Sequence, residues 1–178
     1  SAQGGGLTPK ISVTYVPVDE EGLVSIDDVI HAFRPNTVLV TVMTANSEVG
    51  SIQPVFGIAK ECRKREVIFH TDAAQALGKV CLDVQAMNID LLSMTAHKLY
   101  GPKGIGALYV RRKHPRVQLA PQMHGGGQER GLRSGTLYTP QIVGFGAAVN
   151  IALDQYPQEI NRQRELRDRL WQQLQALH

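Results

Sequence analysis

Two hydrophobic periods alternate along this chain. Over residues 11–18 Ile, Val and Tyr alternate with Ser, Thr and Pro, the period-two pattern of a half-buried strand, and Asp19-Glu20-Glu21-Gly22 follows as a turn. Ser25 then opens a helical period. Asp28 stands three residues after it in the manner of a capping box, and Ile26, Val29, Ile30 and Phe33 fall on one face before Arg34-Pro35-Asn36 stops the helix. Residues 37–43 form a nearly continuous β-branched run, which predicts a parallel strand buried on both faces, and it empties into the polar stretch 44–50. A helix over 54–65 carries Val55, Ile58, Ala59 and Cys62 inward, and a short strand at 67–70 ends in Thr71-Asp72-Ala73-Ala74-Gln75. Residues 89–94 repeat the strand pattern and empty into Thr95-Ala96-His97-Lys98, after which Gly101-Pro102-Lys103-Gly104 turns the chain into a strand at 105–110. The glycine-rich stretch 124–136 reads as a loop suited to anion contact. Small and apolar residues over 142–153 predict a buried helix, and Leu166, Leu170, Leu174 and Leu177 mark one face of a final charged helix that looks cut off at His178.

Strands alternating with helices imply an α/β fold with a mainly parallel sheet flanked by helices. A chain of 178 residues fits one domain. Nothing divides it internally, so the expected organisation is a tail at 1–10, one body at 11–156 and a connecting helix at 157–178. Hydrophobic residues at 43% and charged residues at 20% exclude a disordered chain. The 19 Lys+Arg against 16 Asp+Glu are scattered apart from Arg111-Arg112-Lys113, which reads as a solvated face and argues against nucleic-acid binding. No apolar run reaches membrane-helix length, and the first six residues lack the parts of a signal peptide. Cys62 and Cys81 are too few for a disulfide framework or a zinc site; both read as structural, in a reducing compartment.

Ligands of open parallel sheets bind beyond the carboxyl ends of the strands. Three such ends carry Asn46-Ser47-Glu48, Asp72 with Gln75, and Thr95 with His97 and Lys98, so these groups are expected to line one crevice. A lysine at such an edge, beside a histidine and before a glycine turn, is a candidate Schiff-base nucleophile; its plainer reading is a solvated side chain. Asp72 suits the ring nitrogen of pyridoxal phosphate, which needs a carboxylate to stay protonated, and equally suits the capping of the turn at 73–75. Thr95, Ala96, His97, Ser134 and Thr136 offer hydroxyls, amides and an imidazole to a phosphate, or merely cap their own backbone.

The order of three motifs narrows this choice. His70-Thr71-Asp72-Ala73-Ala74-Gln75, then residues 95–104 from Thr95 to Gly104, then Gly125-Gly126-Gly127-Gln128-Glu129-Arg130 through Arg133-Ser134-Gly135-Thr136, together resemble the cysteine desulfurases, class V aminotransferase-fold enzymes, over about residues 13–148. The resemblance is to the central portion of such an enzyme of the iron–sulfur cluster assembly type. It implies the large domain of the fold-type I pyridoxal phosphate enzymes, with 11–156 as the central part of the cofactor-binding domain. It also implies that Lys98 carries the cofactor as an internal aldimine, Asp72 pairs with the pyridine nitrogen, and Gln75 approaches the ring hydroxyl. Thr95, Ala96 and His97 would bind the phosphate, and Thr136 would reach the phosphate of a second subunit, which makes a homodimer the expected assembly. The implied substrate is L-cysteine, whose sulfur passes to a persulfide while alanine leaves. An iron–sulfur scaffold or sulfur-acceptor protein would be a partner, and the bacterial cytoplasm or mitochondrial matrix the compartment.

Three positions depart from the family pattern. Ser47 stands where the second of two asparagines contacts the ring or substrate, Thr95 replaces a serine and keeps its hydroxyl, and Ala96 replaces a glycine. The stacking histidine, the persulfide cysteine and the carboxylate-binding arginine of the family have no counterpart in this sequence, so the alternative is an inactive fragment or pseudoenzyme keeping the fold; a selenocysteine lyase-like activity is a second alternative. Gly104-Ile105-Gly106 lacks the third glycine of a dinucleotide site, and His70, Asp72, His97 and His124 lack the spacing of a metal site.

Overall fold

The computed structural model describes residues 11–177. Four strands form one sheet in the order β1 (Leu39–Thr41), β2 (Ile68–Asp72), β3 (Leu91–Thr95) and β4 (Gly106–Val110). The first three run parallel, in the register Thr41 to His70 to Leu91, and β4 returns antiparallel to β3. Parallel neighbours require a crossover. Between β1 and β2 it is α2 (Val55–Lys64), and between β2 and β3 it is the run of turns at 73–90.

The predicted inward face of α2 is the observed one: Val55, Ile58, Ala59 and Cys62 are buried against Val40, Phe69 and Leu92 of the sheet. Helix α1 (Ile26–Ala32) adds Val29 to the same core, and its Ser25 cap accepts from the Asp28 amide at 3.3 Å. A smaller cluster joins Ala96, Leu99 and Phe145 at the other end of β3. The amino ends of β2 and β3 are pinned by Asp90, which accepts from the Phe69 amide at 3.0 Å and from Arg63 at 2.8 Å, and which forms an ion pair with Arg111, whose Nε lies 3.0 Å away and donates to the Ile89 carbonyl.

Four expectations change: Arg111, expected on a solvated face, is buried beside Asp90, and three others concern the elements themselves. Residues 11–18 form no strand; only Val18 bridges to Val24, and Ile11 and Tyr15 are exposed, because no strand lies beside them among the described residues. The 37–43 run is not buried on both faces. Its strand is three residues at the sheet edge, with one neighbour and one covered face, and Leu39 and Met43 are exposed. The two helices expected after Pro140 are one, α3 (Thr139–Gln175), which continues through Pro157, so residue 156 falls inside it. Only Phe145 is buried along it, since a single face packs on the turn after β3 and the other meets solvent.

Candidate active site at the carboxyl edge of the sheet

Because β1, β2 and β3 are adjacent and parallel, the chain leaves all three at one edge. Backbone bonds hold these exits in register beyond the strands: the Thr44 amide donates to the Asp72 carbonyl at 2.8 Å, and the Ala73 amide to the Ser93 carbonyl at 2.9 Å. Beneath them, the hydroxyls of Thr44 and Thr71, both fully buried, share a 2.8 Å hydrogen bond. Asp72 is therefore fixed at its backbone from both neighbouring strands, while its side chain is exposed on the face opposite Thr71. One carboxylate oxygen, Oδ1, accepts from the Ala74 amide at 2.8 Å. The other has no hydrogen-bond partner among the described residues. The turn-capping role and a ligand role are thus compatible, each using one oxygen. Gln75 follows, half-buried in the turn.

After β3 the chain makes a single 3-10 turn, His97–Leu99. Ala96 and Leu99 are buried on either side of it, which leaves His97 and Lys98 facing solvent. Thr95 Oγ1 shares a 2.9 Å hydrogen bond with His97 Nδ1. The backbone packs closely at Gly101, where a Cβ would meet the Ala96 carbonyl and the Ala148 side chain, each at 3.0 Å. That close approach of α3 keeps the lysine-bearing turn fixed.

Ala96 is the correction here. Its φ of −72° is ordinary, so alanine in place of glycine costs nothing. Its amide, however, already donates to the Ile105 carbonyl at 3.1 Å and is not a free donor for an anion. The first amides of the turn, at His97 and Lys98, precede its first internal bond from Leu99 to Ala96, and they stand beside the His97 ring and the Thr95 hydroxyl as the donors this turn leaves open.

Ser47 and Thr136 are placed less directly. Ser47 sits exposed near the tip of a short excursion in which Ala45 bridges Ile52, and its hydroxyl donates to Glu48 at 3.3 Å. Thr136 is exposed in the glycine-rich loop, whose bonds are internal: Ser134 Oγ to the His124 carbonyl at 2.9 Å and the Gly135 amide to Gln128 at 3.1 Å. Cys62 is buried and its thiol is pushed up to about 12 by desolvation, which removes it as a nucleophile; Cys81 is exposed rather than packed. His70, Asp72, His97 and His124 form no three-residue metal cluster among the described residues, where no helix is long and apolar enough to cross a membrane either.

A carboxylate with one free oxygen, an imidazole, a hydroxyl, turn amides and a primary amine at one edge fit a phosphorylated aromatic cation bearing an aldehyde. Residues 7–178 match the family model of the class-V aminotransferases. The chain belongs to the aminotransferase class-V family. Within that family it is 58% identical over 156 residues to the cysteine desulfurase IscS of Neisseria meningitidis, covering 88% of this chain and 38% of the relative. It is 54% identical over 160 residues to the mitosomal cysteine desulfurase of Encephalitozoon cuniculi, covering 90% of this chain and 37% of the relative. The chain thus spans about two fifths of the curated relatives it matches. A solved NifS-like protein superposes with a TM-score of 0.87 at 40% identity, over 92% of this chain and 45% of that one. SspA in complex with cysteine does so with a TM-score of 0.73 at 51% identity, over 77% of this chain and 39% of that one. The class-V fold agrees with the mainly parallel, helix-flanked sheet expected from the sequence.

Two features of the site had no clear sequence signal. The Thr44–Thr71 pair and a bond between Thr41 and His70 each join residues far apart in the chain. The only local hint was the His70-x-Asp72 spacing, which places both residues on one face of a strand.

Proposed function

We propose that this chain supplies the cofactor-binding centre of a cysteine desulfurase, with residues 11–156 as the central part of the large domain. The observation that carries the reading is the meeting of Asp72, Gln75, Thr95, His97 and Lys98 at one sheet edge in a class-V chain. The reaction is L-cysteine plus a thiol giving alanine plus a persulfide, in which the substrate's C–S bond is replaced by C–H and the sulfur joins the acceptor. Pyridoxal phosphate, when bound, supplies the electron sink for this chemistry. Lys98, exposed on a turn anchored by its buried neighbours, can tether the cofactor and later release it and carry protons. Asp72 holds a proton on the ring nitrogen with its free oxygen, and Gln75 approaches the ring hydroxyl. The Thr95 hydroxyl, the His97 ring and the amides of their turn hold the phosphate. Ser47 faces the ring or substrate with a shorter group than an asparagine, a loss of one hydrogen bond or roughly 0.5–1.5 kcal/mol. Thr136 reaches the phosphate of a second subunit in a homodimer.

L-cysteine as substrate is supported by the cysteine complex of SspA. Iron–sulfur cluster assembly, with a scaffold or acceptor protein, and a bacterial cytoplasmic or mitochondrial setting accord with bacterial and mitochondrial relatives. The test is borohydride reduction of the chain with added pyridoxal phosphate, followed by peptide mapping and an alanine assay with cysteine and a thiol acceptor. A pyridoxyl group on Lys98, lost in Lys98→Ala while the melting temperature stays within about 2 °C, is the expected result. Labelling spread over many lysines would refute the reading.

A further inference from the structure

His70 precedes Asp72 by two residues on the same face of β2, which sets the two about 7 Å apart along the strand. Across the sheet its register partner on β1 is Thr41, and Thr41 Oγ1 shares a 2.7 Å hydrogen bond with His70 Nδ1. On the other side its register partner is Leu91 of β3, with Ser93 beside it opposite Asp72. The imidazole is half-buried and its Nε2 has no partner among the described residues. A ring held at one nitrogen by a neighbouring strand is restrained, and this one stands on the same strand face as the carboxylate that keeps a single free oxygen.

We propose that His70 is a positioning residue that acts through Asp72, reserving that carboxylate's free oxygen for the N–H of a bound ring cation. The inference rests on the pyridoxal phosphate reading of the site. A protonated imidazole would set a second cation against Asp72 and compete with the ligand; a neutral one does not. Burial disfavours the charged ring and outweighs the opposing pull of Asp72, so the ring titrates below its ordinary range. The groups flanking it on β1 and β3 (Leu39, Thr41, Leu91 and Ser93) carry no charge, and Asp72 is the one charged group acting on it among the described residues.

Two measurements decide this. The first needs no cofactor: nitrogen-15 NMR of the histidine rings through a pH titration, with His70 identified by its loss in His70→Gln. Asp72→Asn removes the attraction that favours the charged ring, so the His70 midpoint falls further, by roughly half to two pH units. Thr41→Val releases the ring into a mixture of tautomers. An unmoved midpoint, or an unmoved tautomer population, would overturn the proposal. The second compares dissociation constants for pyridoxal phosphate and for its analogue with carbon in place of the ring nitrogen. His70→Lys places a permanent cation beside Asp72 and is expected to weaken pyridoxal phosphate about tenfold or more while leaving the analogue unchanged. Equal weakening of both ligands, or of neither, would overturn the proposal. Failure of the unaltered chain to take up either ligand would overturn the proposed function and the ligand half of this inference, and the NMR arm would still decide whether His70 and Asp72 are coupled.

Discussion

Asp90→Asn tests what holds the carboxyl edge in place from the opposite end of the sheet. Asp90 is 2% exposed and has three partners: the Phe69 amide donates to one oxygen, and on the other Arg63 donates while the Arg111 guanidinium stands as counter-ion at 3.0 Å. Arg111 is 5% exposed and also donates to the Val84 and Ile89 carbonyls and to Gln85, so it cannot swing out to water without abandoning several bonds. An asparagine has one acceptor oxygen. Whichever way it turns, either the Phe69 amide or the arginine pair faces an N–H, and the Arg111 charge remains buried without its counter-ion. Removing one member of a buried pair costs about 3–5 kcal/mol; the amide keeps one acceptor, so about 3 kcal/mol is expected. At about 2–4 °C per kcal/mol for a chain of this size, the melting temperature followed by far-ultraviolet circular dichroism should fall by roughly 6–12 °C. Arg63→Ala is the control, because the Arg63 side chain is 29% exposed and Asp90 keeps Arg111 as counter-ion when it is removed, so a smaller loss than that of Asp90→Asn is expected. An Asp90→Asn melt within about 2 °C of the unaltered chain, or an Arg63→Ala loss of equal size, would refute the assignment of this buried carboxylate as the clamp of β2 and β3.

Thr71→Val strands the buried Thr44 hydroxyl and should cost about 1–3 kcal/mol in urea unfolding, and adding Thr44→Val should restore most of it; additive losses would count against the pair. Gly106→Ala sets a Cβ 2.7 Å from the Met94 carbonyl, backbone against backbone, and should destabilise the β3–β4 ladder by about 1–3 kcal/mol, read from the urea midpoint. His70 is lowered on folding, so the unfolded chain takes up its proton first: its contribution to stability is present above its ordinary pKa near 6.5 and declines as pH falls through that value toward the folded one. The pH dependence of unfolding between about pH 7 and 5 should therefore be shallower in His70→Gln, and an identical slope would contradict it.

Sequence reasoning reached the placement of the groups at this edge because they follow the strands directly. A polar stretch after a β-branched run is local information, and the Asp72, Thr95 and Lys98 motifs are each contained in a few consecutive residues. What holds those motifs is not local. The partners Thr41 and His70 are joined only by the register of β1 on β2, and the three partners of Asp90 come from α2, β2 and the residue after β4. Register is set by packing of one face of the sheet, which a run of apolar residues does not encode on its own. The same distinction explains the errors. Residues 11–18 have strand composition, yet a strand exists only beside another, and none lies there among the described residues. The 37–43 run has the look of a doubly covered strand, but coverage belongs to its neighbours. The motif implies a phosphate role for Ala96, while the pairing of β3 with the chain entering β4 occupies its amide. At this edge, then, the motif names the groups that can act, and the cross-strand hydrogen bonds decide which remain free. By that measure Asp72 keeps one oxygen, His97 and Lys98 stay open on their turn, and Ala96 is engaged through its amide, its carbonyl and its packing.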